Sequence, residues 1–341
     1  MVLLLAGALL FLLLAAALSL FLFLPCAALA ESVLADRPAG RAWLWLAATV
    51  LPPLLALAAS LYATHDSVAR AGVWAAMAHP GRHLCFAGLD LGPDAAWRIT
   101  IAGLAAAALL LAGPLRALVA IGYSLHLGRL LRLAATSVPE LGIHVLDLPG
   151  PSSFCHGLLR PRVYLTTGLT SQVGPDELEL VLAHESAHRR RRDNLVGLLV
   201  ALFSTPLLPV PTAHYYARAW RRSAELAADR EACRDPRDKA TLADALVRTA
   251  RAQETEAGQR LTGLRARLAA GQRADHLAER TAQLLTEADR DPEARQVSLA
   301  LQVGGLLVGL VGLLGLIRVA AWRELWPTVQ CLLHQLVTPL H

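Results

Sequence analysis

The chain has 341 residues, 55% of them hydrophobic and 17% charged. That is too apolar for an ordinary soluble domain and too charged for a wholly buried one. The formal net charge is +5, and the 24 basic and 21 acidic residues between positions 122 and 296 nearly balance, so direct nucleic-acid binding is not expected. Five scattered cysteines give no disulfide framework, and Cys85 with Cys331 is the pair that would share an outer compartment.

Three apolar runs come first, and each is long enough for the roughly 20 residues a helix needs to cross a bilayer. Residues 2–24 and 42–63 carry no charge, and residues 99–123 carry only Arg116. The first run has no basic leader and is about twice the usual apolar length of a signal peptide, so it reads as a span. Residues 1–123 are therefore expected to be three transmembrane helices with their loops. A fourth span is expected at 297–321, followed by a short tail at 322–341.

Arg129 and Arg132 follow the third run, and Arg290 and Arg295 precede the fourth. Positive-inside logic puts residues 124–296 in the cytoplasm and the tail outside. In the fourth span, Gly305 and Gly309 form a small-xxx-small pair that lets another helix approach closely, which would permit a homodimer.

Within the polar region, residues 143–148 and 162–167 read as short strands, with 149–161 a loop between them. From Pro175 the pattern becomes helical, with Pro in the first turn and Asp176, Glu177 and Glu179 at the positive end of the dipole. Residues 195–210 are apolar, short for a span and interrupted by Pro206 and Pro209, so a re-entrant or interfacial segment is expected. Residues 212–234 read as an amphipathic helix, and 241–290 are rich in helix formers.

The first of these helices contains His184-Glu185-Ser186-Ala187-His188. A four-residue step puts both imidazoles on one helical face, where they can share one zinc ion. The glutamate between them then lies beside the metal's open position, placed to take a proton from the attacking water. With 12 His in the chain, about 0.02 chance matches to this motif are expected. A catalytic site wants a third protein ligand, and Glu225-Leu226-Ala227-Ala228-Asp229 offers one on a later helix. Glu225 is assigned to zinc, and Asp229 to a hydrogen bond that fixes a ligand imidazole.

His214, Tyr215 and Tyr216 precede Glu225 by one helix-length, so His214 or Tyr215 would serve either as an oxyanion stabiliser or as an interfacial anchor. The run Arg189 to Arg192 follows the zinc helix directly and is expected to grip lipid phosphates.

These motifs, with Phe154 through Leu165 and the Arg190-Arg191-Arg192-Asp193 run, resemble the BlaR/MecR-type integral-membrane metalloproteases. That is a gluzincin group coupling cell-wall antibiotic sensing to cleavage of a cytoplasmic repressor. The resemblance implies a multi-pass α-helical membrane protein of a bacterial inner membrane, with an inserted α+β gluzincin-like zinc protease domain. It implies zinc on His184, His188 and Glu225, Glu185 as base, and a substrate-binding edge strand at Arg162, Val163 and Tyr164. The implied partner is a protein substrate, a winged-helix repressor.

Two features depart from the family's pattern. No penicillin-binding sensor domain follows the fourth span within this sequence, and Cys155-His156 stands where small or apolar residues are usual. A cysteine there would either ligate the zinc and hold the enzyme latent or be a buried thiol. HtpX-type membrane proteases share both zinc motifs but not the Arg160-Pro161 pair or the Arg-Arg-Asp run. A rival in another class is a catalytically silent transducer clamped by zinc, which the intact Glu185 disfavours.

Overall fold

The computed structural model describes residues 2–75, 93–260 and 280–281. The expected fourth span, the tail, Gly305, Gly309, Cys85 and Cys331 lie outside the described residues.

Leu- and Ala-rich stretches, both strong helix formers, make three long helices: α1 (Val2–Glu31), α2 (Pro38–Ala75) and α3 (Pro93–Ala134). Each contains a segment long and apolar enough to cross a membrane, at Gly7–Glu31, Pro38–Leu61 and Thr100–Ala134. Leu20, Phe21 and Leu24 on α1, and Leu111, Leu115 and Leu118 on α3, point outward. Water would penalise that arrangement and lipid accommodates it. Pro25, Pro52, Pro53 and Pro114 sit inside these helices without ending them. The third helix does not stop at Tyr123 but runs on to Ala134, delivering the chain directly into the sheet.

The sheet has four short strands, β1 (Ala135–Val138), β2 (Ile143–Leu146), β3 (Ser153–His156) and β4 (Arg162–Thr166), in the order β1-β2-β4-β3. β1 and β2 are antiparallel, β2 and β4 parallel, and β3 and β4 antiparallel. Two of these strands were not expected, since β3 falls in the segment read as a loop. The central strand is β4, with Val163, Tyr164 and Leu165 almost fully buried. That corrects the expected substrate edge at Arg162, Val163 and Tyr164: β4 already has a partner on each side, and the edge strand beside it is β3. Gly157, at φ +117°, turns the chain from β3 toward β4 in a conformation that other residues rarely adopt.

After the single turn α4 (Thr167–Thr170) comes α5 (Pro175–Arg191), which carries the histidine motif. Its Leu178, Val181 and Leu182 pack on Ile143, Val163, Leu165 and Leu169, so one stripe of α5 faces the sheet. α6 (Asp193–Ser204) continues through a 3-10 turn (Thr205–Leu207) into α7 (Pro211–Ala232), and α8 (Pro236–Arg260) follows.

The hairpin of α6 and α7 is wedged among the apolar helices. Leu207 and Ala213 cluster with Phe11, Ala15 and Ala56. Thr212 and Ser19 share a hydroxyl hydrogen bond of 2.7 Å, and the Tyr216 hydroxyl donates to the Ser19 carbonyl at 2.7 Å. Gly113 on α3 leaves no room for a side chain, because a Cβ there would sit 2.7 Å from the Leu202 carbonyl. The first turns of α7 thus lie at the level of Ser19, midway along the apolar segment of α1, and the hairpin tip at Leu207 reaches beyond it to Phe11 and Ala15.

Candidate metal centre

Glu185 lies one turn beyond Val181 and Leu182, at the end of the sheet-facing stripe of α5, where Ser153 Oγ on β3 donates to its Oε1 at 2.8 Å. His184 and His188 lie on the adjoining stripe, which faces α7. From α7, Glu225 brings its carboxylate toward both rings. His184 Nε2 and His188 Nε2 are 3.1 Å apart, and each is 3.7 Å from a Glu225 oxygen. The ligand atoms of these three residues lie within 4.8 Å of one another.

Tetrahedral zinc with bonds of about 2.0–2.1 Å separates its ligand atoms by about 3.3 Å. The three residues therefore fit such an ion with little adjustment. His184 and Glu185 are buried, while the Glu225 side chain is 33% exposed and opens the group to one side.

Both imidazoles have a carboxylate behind them. Asp229 Oδ1 is 2.9 Å from His184 Nδ1, and Asp193 Oδ2 is 2.6 Å from His188 Nδ1. A ring whose Nδ1–H faces a carboxylate presents the lone pair of Nε2, the arrangement typical of metal-binding histidines. Each carboxylate is held in turn by an arginine. Arg280 donates from Nε and Nη2 to Asp229 at 2.7 and 2.6 Å, and Arg191 Nη2 donates to Asp193 Oδ2 at 2.8 Å and to the Ala224 carbonyl at 2.8 Å.

These contacts set the charges. Burial opposes ionisation of Asp229, but the hydrogen bonds from Arg280 and the close approach of the His184 imidazole hold its carboxyl well below the usual range. Burial likewise opposes ionisation of Asp193, and His188 and Arg191 outweigh it. Burial also works against charge on His188, yet Asp193 and Glu225 raise its pKa.

The sequence marks Arg191 and Asp193 only as part of the run that carries the family resemblance, with no role at the centre, and it marks neither Ser153 nor Arg280. Asp193 became available only through the chain reversal at Arg192, a non-glycine residue at φ 53°. Its signals were its place directly after a helical basic run and that run's resemblance to the family pattern. Ser153 was hidden in the presumed loop, and nothing in the sequence pointed to Arg280.

His214 and Tyr215 are not brought to this centre. His214 Nε2 lies 2.9 Å from the Leu208 carbonyl, about three turns before Glu225 on α7. Tyr215 packs edge-on against Phe23 and Trp45. Of the two alternatives for this pair, oxyanion stabiliser or interfacial anchor, the contacts of Tyr215 among the apolar helices match the anchor. Two of the four arginines in the run form ion pairs among the described residues. Arg190 pairs with Glu231, and Arg191 with Asp193 and Glu231, so these two guanidiniums brace α5 against α7. Cys155 contributes no ligand atom to the His-His-Glu group, and burial with the nearby Glu185 charge pushes its thiol up to about 12.

Residues 144–269 match the family model of the BlaR1 peptidase M56. That segment of the chain is therefore similar to an M56 peptidase domain. Curated relatives of the peptidase domain include protease HtpX homologues. That of Moorella thermoacetica is 38% identical over 77 residues, 22% of this chain and 26% of the relative. That of Caldanaerobacter subterraneus subsp. tengcongensis is 36% identical over 70 residues, 20% of this chain and 23% of the relative. That of Saccharolobus solfataricus is 37% identical over 67 residues, 19% of this chain and 22% of the relative. The chain thus spans about a quarter of the length of the curated relatives it matches. No solved structure matches it. The described residues thus combine three helices long and apolar enough to cross a membrane with a small mixed helix-and-sheet unit that matches the peptidase family.

Proposed function

We propose that the protein is a membrane-embedded zinc endopeptidase that cleaves a cytoplasmic protein, a transcriptional repressor, in a bacterial signal response. The observation that carries the reading is the convergence of His184 Nε2, His188 Nε2 and the Glu225 carboxylate, with a carboxylate behind each imidazole. A solvated helix face has no reason to adopt that arrangement. His184, His188 and Glu225 hold the metal, which when bound supplies a Lewis acid that acidifies water and polarises a carbonyl. Glu185, aligned by the Ser153 hydroxyl, accepts the proton of the attacking water and returns it to the leaving amine.

The substrate reaches the centre as an extended strand added to the outer edge of β3, whose Ser153 lies against Glu185. In the proposed topology the peptidase domain, 124–296, faces the cytoplasm at the inner leaflet, with the α6–α7 hairpin, residues 195–210, dipping into the bilayer. The resemblance to repressor-cleaving transducers supports the substrate class. The curated matches to HtpX proteases favour a second reading, a protease of broader substrate range. Cleavage of one repressor against many unfolded membrane proteins separates the two.

The test is Glu185→Gln, assayed for zinc content and for cleavage of a co-expressed candidate repressor. The variant should hold about one zinc and lose on the order of a hundred- to ten-thousandfold in rate. Unaltered cleavage would sink the protease reading and leave a zinc-clamped transducer.

A further inference from the structure

Arg280 lies 51 residues beyond Asp229 and outside the segment matched by the peptidase family, 144–269. Its side chain is nevertheless only 16% exposed. All three of its nitrogens are engaged. Nε and Nη2 form a two-pronged fork on Asp229 at 2.7 and 2.6 Å, and Nη1 stands 3.3 Å from Glu225 Oε2. A planar guanidinium can span both oxygens of one carboxylate and still reach a second, which a lysine ammonium cannot.

We propose that Arg280 is a positioning residue of the metal centre, one guanidinium that fixes both the carboxylate behind His184 and the ligand carboxylate of Glu225. The proposal rests on the reading of His184, His188 and Glu225 as metal ligands.

Two physical consequences support it. Asp229 is almost completely buried. Without a cation that carboxylate would protonate or turn toward the metal, and in either case it would cease to orient His184. Glu225 is the most exposed of the three ligands, so it has the most rotational freedom to lose, and the Arg280 contact on Oε2 restricts it. The charges also balance. Glu185, Asp193, Glu225 and Asp229 supply four carboxylates, and Arg191 and Arg280 neutralise two of them. The remainder is the complement of one divalent cation.

The experiment uses the full chain purified in detergent, with zinc affinity measured by chelator competition and ligand geometry read from the visible spectrum of the cobalt-substituted protein. The variants are Arg280→Met, Arg280→Lys, Asp229→Asn and the Arg280→Met/Asp229→Asn double, with helix content by circular dichroism as the folding control. Arg280→Met should weaken zinc about ten- to hundredfold and alter the cobalt spectrum. Arg280→Lys should recover part of the affinity. The double variant should lose less than the product of the two single losses, because both act through one contact.

Unchanged affinity and spectrum in folded Arg280→Met would overturn the proposal, and so would independent losses in the double variant. If Arg280→Met does not fold, Arg280→Lys carries the test: weakened zinc binding supports the role and wild-type binding refutes it. A wild-type protein that binds neither zinc nor cobalt would instead overturn the ligand reading on which the proposal rests.

Discussion

Asp193 Oδ2 lies 2.6 Å from His188 Nδ1, across a chain reversal that separates the last turn of α5 from the first of α6. The same oxygen accepts from Arg191, so a three-member chain runs from guanidinium to carboxylate to imidazole. The reversal at Arg192 makes this possible, because a continuous helix would carry Asp193, five residues on, away from the ring.

Replacing Asp193 with Ala should therefore loosen His188 without removing a ligand. Zinc affinity measured by chelator competition should fall about ten- to hundredfold. Glu225→Gln should lose more, since a neutral amide is a poorer ligand than a carboxylate. Equal zinc retention in the Asp193 variant and wild type would show that the 2.6 Å contact does not tune the site.

Much of this centre was legible from residue spacing, for a local reason. The His184/His188 pair on α5 depends only on helical periodicity, and Glu225 with Asp229 on α7 on the same periodicity. The three apolar helices were legible because bilayer thickness fixes their length. What remained hidden needed tertiary information. β3 is four residues long and carries no clear alternation, so Ser153 read as loop. The edge at β4 is an expectation carried over from the family resemblance, and strand order, which decides it, is tertiary information that the residues of one strand do not hold. Arg280 reaches Asp229 across 51 residues, and one arginine in an arginine-rich region has no pattern to mark it.

Ser153→Ala tests the alignment of the base. Its hydroxyl is 2.8 Å from Glu185 Oε1, and one such hydrogen bond to a charged group contributes roughly 1.5–3 kcal/mol. The rate of peptide cleavage should fall on the order of tenfold or more, while zinc content stays at the wild-type level. A variant that cleaves at the wild-type rate would show that Glu185 is held by its helix alone. Ser153→Thr, which keeps the hydroxyl, should retain more activity than Ser153→Ala.

Acid stability should report on Asp229. Its pKa is lower in the folded state than in the unfolded chain because Arg280 and His184 outweigh the cost of burial. The folded state therefore binds fewer protons than the unfolded one, and the contribution is complete above the unfolded carboxylate value of about 3.9. It is lost progressively as pH falls below that value toward the folded pKa. In metal-free protein, the melting temperature of wild type should fall more steeply than that of Asp229→Asn below about pH 4. Parallel curves for the two proteins would show that the Arg280–Asp229 pair does not stabilise the fold.

The depth of the α6–α7 hairpin gives the last prediction. Leu208 sits at its tip and is 42% exposed on the protein surface, while its neighbour Leu207 packs against Phe11 and Ala15 of α1. If α1 crosses a bilayer along Gly7–Glu31, Leu208 lies at membrane depth, where it lines a cavity with Pro209, His214, Arg218 and Arg221, and this cavity is expected to be closed to water. Leu159, 70% exposed beside the turn between β3 and β4, faces water in the same arrangement. Single cysteines at these two positions, in a variant whose native cysteines are replaced, should respond oppositely to a membrane-impermeant maleimide. Leu159→Cys should label rapidly in inverted vesicles and stay protected in intact cells, which places the peptidase domain on the cytoplasmic side. Leu208→Cys should stay protected in both preparations and label only after denaturation in detergent, because thiolate attack requires water at the sulfur. Rapid labelling of Leu208→Cys in either preparation would mean that the hairpin lies in an aqueous cavity. Labelling of Leu159→Cys in intact cells would reverse the proposed topology and put the substrate outside.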